Sequence, residues 1–321
     1  MGWHISKNNQ ENWDFYLSDL NNNSFYNLYD YKNFAEVNGW KNLKIFYSFN
    51  NKISSIASLL IKKKKFLKVI HIPGGIQGKN NNNILKELYK FILQNFGMMT
   101  VIMIDMHDNL DQKYNYKNWY RVSSRKYETI IKSLTLKKTE LINTFNKNFR
   151  RNCMRSERYN DTLKEVKNPD IDELYRLYIE MEQFKKIDKQ YSKEQLGYKI
   201  ECLKNNLINF ELRDSNQKLI SFRSFIFFKN FAWDYLAVTG KEGRKKYSSY
   251  KILNHIFRFC IDNNITEYDL SGIDIKNNLG VYNFKKGTGG RIYKRIGILI
   301  NSPILLFKLL FFLIIFFKYK N

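Results

Sequence analysis

The alternation of hydrophobic and polar positions predicts two similar series of strands and helices along the chain. In the first half, apolar and β-branched runs predict strands at residues 44–49, 52–61 and 66–72, with a basic turn at 62–65. Apolar residues then recur at helical spacing over residues 84–96. The continuous apolar run at residues 100–106 is typical of a buried strand. The first half therefore reads as three strands, a helix and a further strand.

The second half repeats this order. Strands are predicted at residues 207–213, 219–228 and 231–238. A helix follows, with one apolar face formed by Tyr250, Leu253, Ile256, Phe257 and Cys260, and a strand at residues 265–270 closes the series. Further helices are predicted at residues 13–20, 29–37, 136–159, 170–184 and 192–204. Each half thus has the order β-β-β-α-β.

The stretch after the last of these strands carries the candidate chemistry. We expect a glycine-punctuated loop there, followed by a strand at residues 291–296. The loop contains an aromatic pair and a lysine pair among its glycines, namely Gly272, Gly280, Tyr282, Phe284, Lys285, Lys286, Gly287, Gly289 and Gly290. Glycines let a backbone approach a ligand closely, and bare N–H groups beside lysines suit a phosphate. The alternative is a basic surface hairpin without a ligand.

The charge of the chain indicates an anionic partner. Its 54 Lys and Arg residues against 30 Asp and Glu residues give a formal net charge of +24 and a pI of about 9.7. Nucleic acid, phospholipid headgroups and phosphorylated substrates all fit such an excess. The chain is also rich in Lys, Asn, Ile, Phe and Tyr together, so part of the excess reflects a compositional bias.

Cysteine and histidine usage indicates neither disulfides nor a metal site. The three cysteines are far apart, and no histidine pairs with a cysteine or another histidine at metal-ligand spacing. The N-terminus is polar and lacks the apolar segment of a secretory signal. We therefore expect a protein of the reducing cytoplasm without a metal cofactor.

Several short segments resemble one known family. The run from Tyr268 to Ile273, followed by Gly280 to Gly287, resembles the C-terminal signature of the FemAB family, whose members add amino acids to peptidoglycan precursors. The resemblance reappears in Asn148-Phe149-Arg150-Arg151-Asn152 with Arg155, and faintly at residues 29–40 and 71–75. Together these segments span nearly the whole chain in family order.

The resemblance implies an α+β fold made of two tandem GNAT-like (acyl-CoA N-acyltransferase-like) domains. Each would have a mostly antiparallel sheet with helices, which agrees with the repeated β-β-β-α-β order. We expect the first domain at residues 1–135, the second at residues 136–300 beginning with a basic helix, and a hydrophobic C-terminal helix at residues 301–321.

The resemblance also implies an acyl-transfer reaction. An amino acid would pass from aminoacyl-tRNA, a co-substrate, to an amine on the stem peptide of a lipid-linked or UDP-linked muramyl-pentapeptide, with no other cofactor. The loops at residues 73–83 and 239–249 lack the R/Q-x-x-G-x-G/A pattern that cradles the pyrophosphate of CoA, which argues for another donor. Two alternatives stay open: an N-acyltransferase acting on an amino sugar of a surface glycan, and a non-catalytic basic RNA-binding protein at the membrane.

Site residues follow from the same resemblance. Lys285 matches the family lysine that contacts the precursor phosphates, and its charge would also stabilise an oxyanion. We expect substrate contacts from its neighbours, including amides of the glycines, at Tyr282, Asn283, Phe284, Lys286, Gly287, Gly289 and Gly290.

The proton acceptor and the tRNA contact are less determined. Asp269 is our first candidate for a general base, because the attacking amine must lose a proton, with Asp105 and Asp274 behind it. Asp269 would alternatively cap the loop by accepting backbone N–H bonds, and the ribose hydroxyl beside the tRNA ester would then carry the proton. Arg151 and Arg155 are candidate tRNA contacts, unless this helix face is merely solvated.

The last segment is unusually apolar. Residues 304–317 contain one charge, Lys308, and are followed by Lys318 and Lys320. This run is shorter than the roughly 20 residues that span a bilayer. We expect residues 303–320 to lie on the anionic inner face of the plasma membrane, because the phenylalanines cover too much of the helix for one-sided packing. A helix packed on the protein core is the alternative.

Overall fold

The computed structural model describes residues 1–7, 10–20, 24–50, 52–109, 118–122, 128–185 and 191–320. The strands are β1 (Gly2–Ile5), β2 (Lys41–Phe49), β3 (Lys52–Lys64), β4 (Leu67–Ile72), β5 (Gln77–Gly78), β6 (Thr100–Asn109), β7 (Tyr120–Val122), β8 (Glu128–Ser133), β9 (Thr162–Glu165), β10 (Leu207–Arg213), β11 (Leu219–Phe228), β12 (Phe231–Thr239), β13 (Glu267–Gly272) and β14 (Arg291–Asn301).

The helices are α1 (Gln10–Asp19), α2 (Tyr31–Val37), α3 (Asn82–Phe96), α4 (Lys147–Ser156), α5 (Ile171–Lys185), α6 (Lys193–Glu201), α7 (Lys241–Lys245), α8 (Ser248–Asp262), α9 (Leu279–Gly287) and α10 (Leu305–Lys320). Single 3₁₀ turns lie at Phe25–Asn27 and Leu141–Thr144. The predicted order is confirmed in both halves, as β2-β3-β4-α3-β6 and β10-β11-β12-α8-β13, which is the tandem GNAT-like α+β fold. Local sequence signals account for several boundaries; α6, for example, begins with a capping box of Ser192 and Gln195.

Two compact units make up the fold. Unit 1 comprises Met1–Glu128 with Lys294–Asn321, and unit 2 comprises Thr129–Tyr293. These units differ from the expected domains 1–135, 136–300 and 301–321. Strand β8 joins the sheet of unit 2, whereas β14 pairs with β6 and α10 packs within unit 1. The difference arises because an open sheet edge is satisfied by a strand distant in sequence, which periodicity does not reveal.

The sheet of unit 1 has the order β1-β2-β3-β4-β6-β14. Strands β4 and β6 are parallel, joined by the crossover helix α3, and the remaining neighbours are antiparallel. Helix α3 covers one face with Ile84, Leu85, Leu88 and Ile92. Helix α10 covers the other face, over Val101, Val122, Ile298 and Ile300.

The sheet of unit 2 has the order β8-β13-β12-β11-β10-β9. Strands β12 and β13 are parallel, joined across helix α8, and the other neighbours are antiparallel. Helices α4 and α8 form the main core with this sheet, around Phe149, Phe225, Phe257 and Tyr268. Helix α5 contacts β11 and β12.

Three local predictions were wrong. The helix expected at residues 136–159 is a 3₁₀ turn followed by α4, because Asn146 caps α4 by accepting a 2.8 Å bond from the N–H of Phe149. The expected loop over residues 279–287 is the helix α9, capped by the side chain of Asn278. The basic residues 62–64 continue β3 instead of forming a turn, which leaves only Lys65 and Phe66 between β3 and β4.

The apolar segment near the C-terminus forms α10 and packs on unit 1 by one face only. The expectation that its phenylalanines exclude one-sided packing was therefore wrong: Phe311 and Phe312 face the core, whereas Phe317 is exposed. Across the described ranges, no helix combines the length and the apolarity needed to cross a membrane. The side chain of Lys320 lies outside the described residues.

Candidate active site

A buried ion pair lies at the centre of the β11–β12 hairpin in unit 2. Arg223 donates from Nε and Nη2 to the two carboxylate oxygens of Asp234, each over 2.8 Å. The Tyr268 hydroxyl donates to Oδ1 of the same carboxylate over 3.1 Å. Although burial opposes ionisation, the Asp234 charge raises the pKa of Arg223 above its usual range. The pair thus fixes one positive group inside the unit, in bidentate geometry.

Lys285 reaches the same region from α9. Its Nζ donates to the carbonyl oxygens of Gly272 (2.7 Å) and Ser271 (3.3 Å), where β13 ends. Burial lowers the pKa of Lys285 to about 8, while the charge of Asp234 opposes this and that of Arg223 adds to it. An ammonium group has three N–H donors. The two carbonyls occupy two of them among the described residues, which leaves a donor for an anionic ligand.

The turn that holds Lys285 has a strained backbone. Ser271 has φ +63°, in the left-handed region that a residue with a side chain rarely adopts. Asp269 stabilises this conformation by accepting a 2.7 Å bond from the N–H of Ser271, and its Oδ1 also accepts from the Thr129 hydroxyl. Ser271 Oγ donates in turn to the Asp234 carbonyl over 2.6 Å. The turn therefore aims two carbonyl oxygens at Lys285.

Asp269 is buried, and its contacts are those of the capping alternative. The sequence offered a general base or a loop cap at this position, and the bonds to Ser271 and Thr129 hold the turn. The carboxylate nevertheless lies close enough for its charge to raise the pKa of Lys285. That Asp269 acts as a general base stays a prediction.

Further cations surround the pair of Arg223 and Lys285. Burial, then the charges of Arg244 and Arg223, lower the pKa of Lys185 at the end of α5. The Arg244 guanidinium lies 3.6 Å from the centroid of the Phe184 ring, beside Lys185. Four cations thus share a region in which Asp234 and Asp269 are the carboxylates that act on Lys285. The neighbouring positive charges, which add to the lowering of the pKa of Lys185 and Lys285, make a region that favours an anion.

The aromatic residues of the signature pack around this cluster. Phe284 contacts Tyr250 and Phe149, with ring centroids 4.9 and 5.4 Å apart, and the Arg223 guanidinium lies 5.6 Å from its centroid. Tyr282 is partly buried against the same core. Asn283 and Lys286, by contrast, are exposed on α9. The signature therefore combines core residues with an exposed polar face on a single helix.

The glycines after Phe284 allow close packing of the chain. A Cβ on Gly287 would lie 3.1 Å from the Phe149 side chain, and one on Gly290 would lie 2.5 Å from Ile130. Gly289 has φ +77°, and a Cβ there would lie 2.0 Å from the Thr144 carbonyl oxygen. The space on the Cβ side is thus filled at all three glycines, and a contact of their amides with a phosphate stays a prediction.

The two candidate arginines of α4 differ in their surroundings. Arg151 is exposed and donates to the Asn148 side chain over 2.8 Å. Arg155 is half-buried, donates to the Tyr247 hydroxyl over 3.2 Å and lies over its ring. Arg155 thus ties α4 to the start of α8, while Arg151 is available at the surface.

Sequence reasoning missed Arg223, Asp234 and Lys185. A signal existed, since Arg223 and Asp234 each interrupt a strand whose other members are mostly apolar. A charged residue inside such a strand is expected to be paired. Their partnership itself depends on the strand register, where a bulge between Ser224 and Phe225 sets Asp234 opposite Phe225.

Unit 1 contains a separate polar cluster. Asp105 and His107 on β6 approach to 3.8 Å between Oδ2 and Nε2, and the Tyr26 ring lies 5.6 Å from that of His107. Burial opposes ionisation of Asp105, but hydrogen bonding to His107 and its charge lower the pKa of the carboxyl. Burial lowers the pKa of the nearby His71. In the described part of the chain, no group of His, Cys, Asp and Glu side chains has the arrangement of a metal site.

Comparisons with known proteins agree with this geometry. Residues 156–312, which contain Arg223, Asp234 and Lys285, match the model of the FemAB family. The fold is similar to the crystal structure of FemX, with a TM-score of 0.80 and 13% identity over 95% of this chain and 99% of that chain.

Two other solved structures share the fold. L-PGS from Bacillus licheniformis has a TM-score of 0.58 and 14% identity, over 95% of this chain and 96% of that one. A tandem GNAT protein from the clavulanic acid biosynthesis pathway has a TM-score of 0.55 and 8% identity, over 94% and 98%. No protein of curated function matches the sequence. The chain is therefore similar to the FemAB family over residues 156–312, just under half of its length, and shares its overall fold with FemX.

Proposed function

We propose that the protein transfers an amino acid from aminoacyl-tRNA to an amine on the stem peptide of a peptidoglycan precursor, in the formation of cell-wall cross-bridges. The observation that carries this proposal is the position of Lys285, held by two carbonyl oxygens beside the Arg223–Asp234 pair within the family signature. The match of residues 156–312 to the FemAB family supports the reaction class.

The reaction makes one amide bond and breaks one ester bond. The nitrogen of the acceptor amine attacks the ester carbonyl, and an oxyanion forms on the former carbonyl oxygen. Collapse of that intermediate releases the tRNA ribose hydroxyl and leaves the amide. A positive group next to the developing oxyanion stabilises the transition state. Lys285, mostly protonated near pH 7 with a pKa of about 8, supplies that charge.

One proton must leave the attacking amine, whose ordinary pKa is about 10.4. Asp269 lies near Lys285 but directs its described bonds to the turn. We therefore propose that the proton passes through the ribose hydroxyl adjacent to the ester. This hydroxyl accepts the proton of the amine and gives its own proton to the leaving oxygen, so that both ribose oxygens end as hydroxyl groups. Asp269 would then act by positioning Lys285.

The substrates are polyanions, and the cations of unit 2 would provide contacts for them. The phosphates of the precursor would lie at the cluster of Lys285, Arg223 and Lys185. The tRNA backbone would contact the exposed side of α4, on which Arg151 lies. The acceptor would be reached at the cytoplasmic face of the plasma membrane, where lipid-linked precursors are found.

A transfer assay tests the reaction class. The purified chain would receive tRNA charged with labelled glycine, alanine or serine, together with a lipid-linked or UDP-linked muramyl-pentapeptide, and labelled acetyl-CoA in parallel. We expect label to pass from tRNA to a precursor.

Two results would contradict the proposal. Transfer from acetyl-CoA alone would support the alternative of an N-acyltransferase for amino sugars, whose fold-level support is the tandem GNAT neighbour. Binding of tRNA without transfer to either precursor would support the non-catalytic RNA-binding alternative.

A further inference from the structure

Helix α10 presents a continuous apolar face to solvent. Its outer side chains recur at helical spacing and include Leu305, Leu306, Leu310, Ile314 and Phe317, which are 67%, 69%, 48%, 51% and 60% exposed. Soluble monomers rarely expose contiguous apolar patches of this kind, and those that do use them for binding. The helix carries no acidic residue. The outer face therefore requires a partner that is apolar and tolerates positive charge.

The opposite face of α10 is firmly attached to unit 1. Phe307, Phe311, Phe312 and Ile315 pack on the cluster of Val101, Val122, Ile298 and Ile300. The buried Lys308 contributes a hydrogen bond to the Asn118 carbonyl oxygen and lies 4.2 Å from the centroid of the Tyr120 ring. The outer face is thus held in a fixed orientation by the inner one.

The β3–β4 hairpin lies on the same side of the sheet. Leu67 packs in the same cluster as the inner face of α10. Lys64 is the cross-strand partner of Leu67, and Lys62 is that of Val69. Cross-strand partners project to one face, so both lysines emerge on the α10 side. At the tip of the hairpin, Phe66 is 65% exposed.

A third element joins them at this end of the sheet. The turn before β6 exposes Met98 and Met99, and the Met99 carbonyl accepts a 2.9 Å bond from the N–H of Lys68. Ser302, just before α10, donates from Oγ to the Thr100 carbonyl over 2.8 Å. The start of α10, the methionine turn and the hairpin therefore meet beside Thr100.

We propose that these three elements form a docking surface for an anionic lipid bilayer, with α10 lying in the plane of the interface. An amphipathic arrangement of exposed leucines and phenylalanines bordered by lysines suits the boundary between acyl chains and anionic headgroups. Lys62 to Lys65 supply consecutive positive charges without an intervening acid. A protein partner would need an apolar groove for the helix and acidic residues for the hairpin. An anionic bilayer offers an apolar layer and negative headgroups over any area.

The surface deepens the proposed function, since its biological use rests on a lipid-linked acceptor. The charge of Lys318, near the end of α10, adds to the lowering of the pKa of His71. The helix therefore ends near the strand beside Asp105 and His107. A bilayer docked on α10 would lie close to this polar cluster of unit 1.

Sedimentation with vesicles tests the surface without any substrate. We expect the chain to sediment with vesicles of phosphatidylglycerol and phosphatidylcholine, and weakly with phosphatidylcholine alone. The variant Leu306→Glu/Leu310→Glu should lower the apparent partition coefficient for the vesicles at least about tenfold. Each change replaces an apolar side chain that would be buried in the bilayer by a charged one. Lys62→Glu/Lys64→Glu, which changes the two lysines on the α10 side, should remove the preference for the anionic vesicles.

Matched controls lie on other parts of unit 1. Phe15→Glu changes an exposed phenylalanine of α1, and Lys86→Glu reverses an exposed lysine of α3, which covers the opposite face of the sheet. Neither should alter sedimentation. Equal binding by all variants, or no binding by the unaltered chain, would overturn the proposal.

Self-association would overturn it as well. If the unaltered chain ignores vesicles and forms a dimer that Leu306→Glu/Leu310→Glu dissociates, the outer face of α10 is an interface between two copies. Transfer to the UDP-linked precursor separates this proposal from the proposed function. The α10 variant should keep that activity, so loss of docking and loss of chemistry give different results.

Discussion

The Nζ of Lys285 donates a 2.7 Å hydrogen bond to the carbonyl oxygen of Gly272, across the junction between α9 and β13. The bond holds the charge of Lys285 in place and also attaches α9 to the end of β13. Because Ser271, which also accepts from Lys285, has a left-handed backbone, the position of the charge depends on the Asp269 carboxylate that stabilises that turn. The position of the Lys285 ammonium group therefore depends on the strained turn at Ser271.

Replacing Lys285 by Met should lower kcat/KM for aminoacyl transfer by about 10²–10³, the range seen when one oxyanion-stabilising donor is lost. Steady-state kinetics would measure it, with thermal unfolding in parallel. Lys164→Met is the matched control, since Lys164 is an exposed lysine of β9, in the same unit but outside the site, and should keep activity. Similar losses in both variants would contradict the assignment of Lys285.

Deprotonation of Lys285 at high pH should weaken the binding of an anionic substrate but raise the free energy of unfolding. Its pKa is lowered from 10.5 to about 8. Above pH 8 the folded state loses this charge, so an anionic substrate should bind more weakly. Between pH 8 and 10.5 the unfolded chain binds the proton more strongly, so the free energy of unfolding should rise with pH by up to about 1.4 kcal/mol per unit.

The difference in unfolding free energy between the unaltered chain and Lys285→Met isolates this contribution from other titrating groups. Denaturant titrations at pH 7, 8, 9 and 10 would measure it. The unaltered chain should gain stability relative to the variant across the upper part of that range. A constant difference would show that the lysine titrates at its ordinary pKa.

Arg223→Met should destabilise unit 2 by about 3–5 kcal/mol, because it leaves the buried Asp234 carboxylate uncompensated. The double variant Arg223→Met/Asp234→Leu should recover most of that loss, since apolar replacement of a buried pair is often neutral. Chemical denaturation measures both. Activity should stay low in the double variant, which would separate the role of the guanidinium in the site from its role in folding.

Asp269→Asn should retain most activity, because the amide oxygen still accepts from the Ser271 N–H. Asp269→Ala should lose stability by about 1–3 kcal/mol and reduce activity through a displaced Lys285. Kinetics and unfolding of the two variants would be compared. A loss above about 100-fold in Asp269→Asn, with unchanged stability, would instead identify the carboxylate as a general base.

Gly289→Ala should destabilise the protein by more than about 1 kcal/mol, because φ is +77° and the new Cβ would meet the Thr144 carbonyl at 2.0 Å. Gly280→Ala is the control, since the space beside Gly280 is open and the residue lies in α9. It should be neutral or stabilising by about 0.5–1 kcal/mol. Thermal unfolding distinguishes the two.

The order of elements was predictable where periodicity was strong and long. Helix α3 and strand β11 have patterns that only one structure satisfies, and both halves were predicted correctly. Helix α9 was missed because Gly280 and Gly287 lower its helix propensity. Its formation depends on the Asn278 cap and on packing of Phe284 against Phe149. Tertiary contacts outweighed the local signal there.

The candidate site was predictable only in part for a similar reason. Lys285 was found through the family signature, which is contiguous in sequence. Arg223 and Asp234 come from two strands, and their contact depends on a bulge in the register, which no local pattern specifies. The sequence does not separate the two roles of the glycines, since close packing and close approach to a ligand select the same residue.

Strand β14, which follows unit 2 in the chain, completes the sheet of unit 1, and this order has a consequence for biosynthesis. Unit 2 is contiguous, from Thr129 to Tyr293, so it can complete its sheet as soon as that stretch has left the ribosome. Unit 1 cannot do so, because β6 receives β14 only after the whole of unit 2 has been made. At about 5–20 residues per second, the β6 edge of the nascent N-terminal portion waits some seconds to tens of seconds for its partner. During that interval β6 presents an unpaired edge, although most of unit 1 precedes unit 2 in the chain.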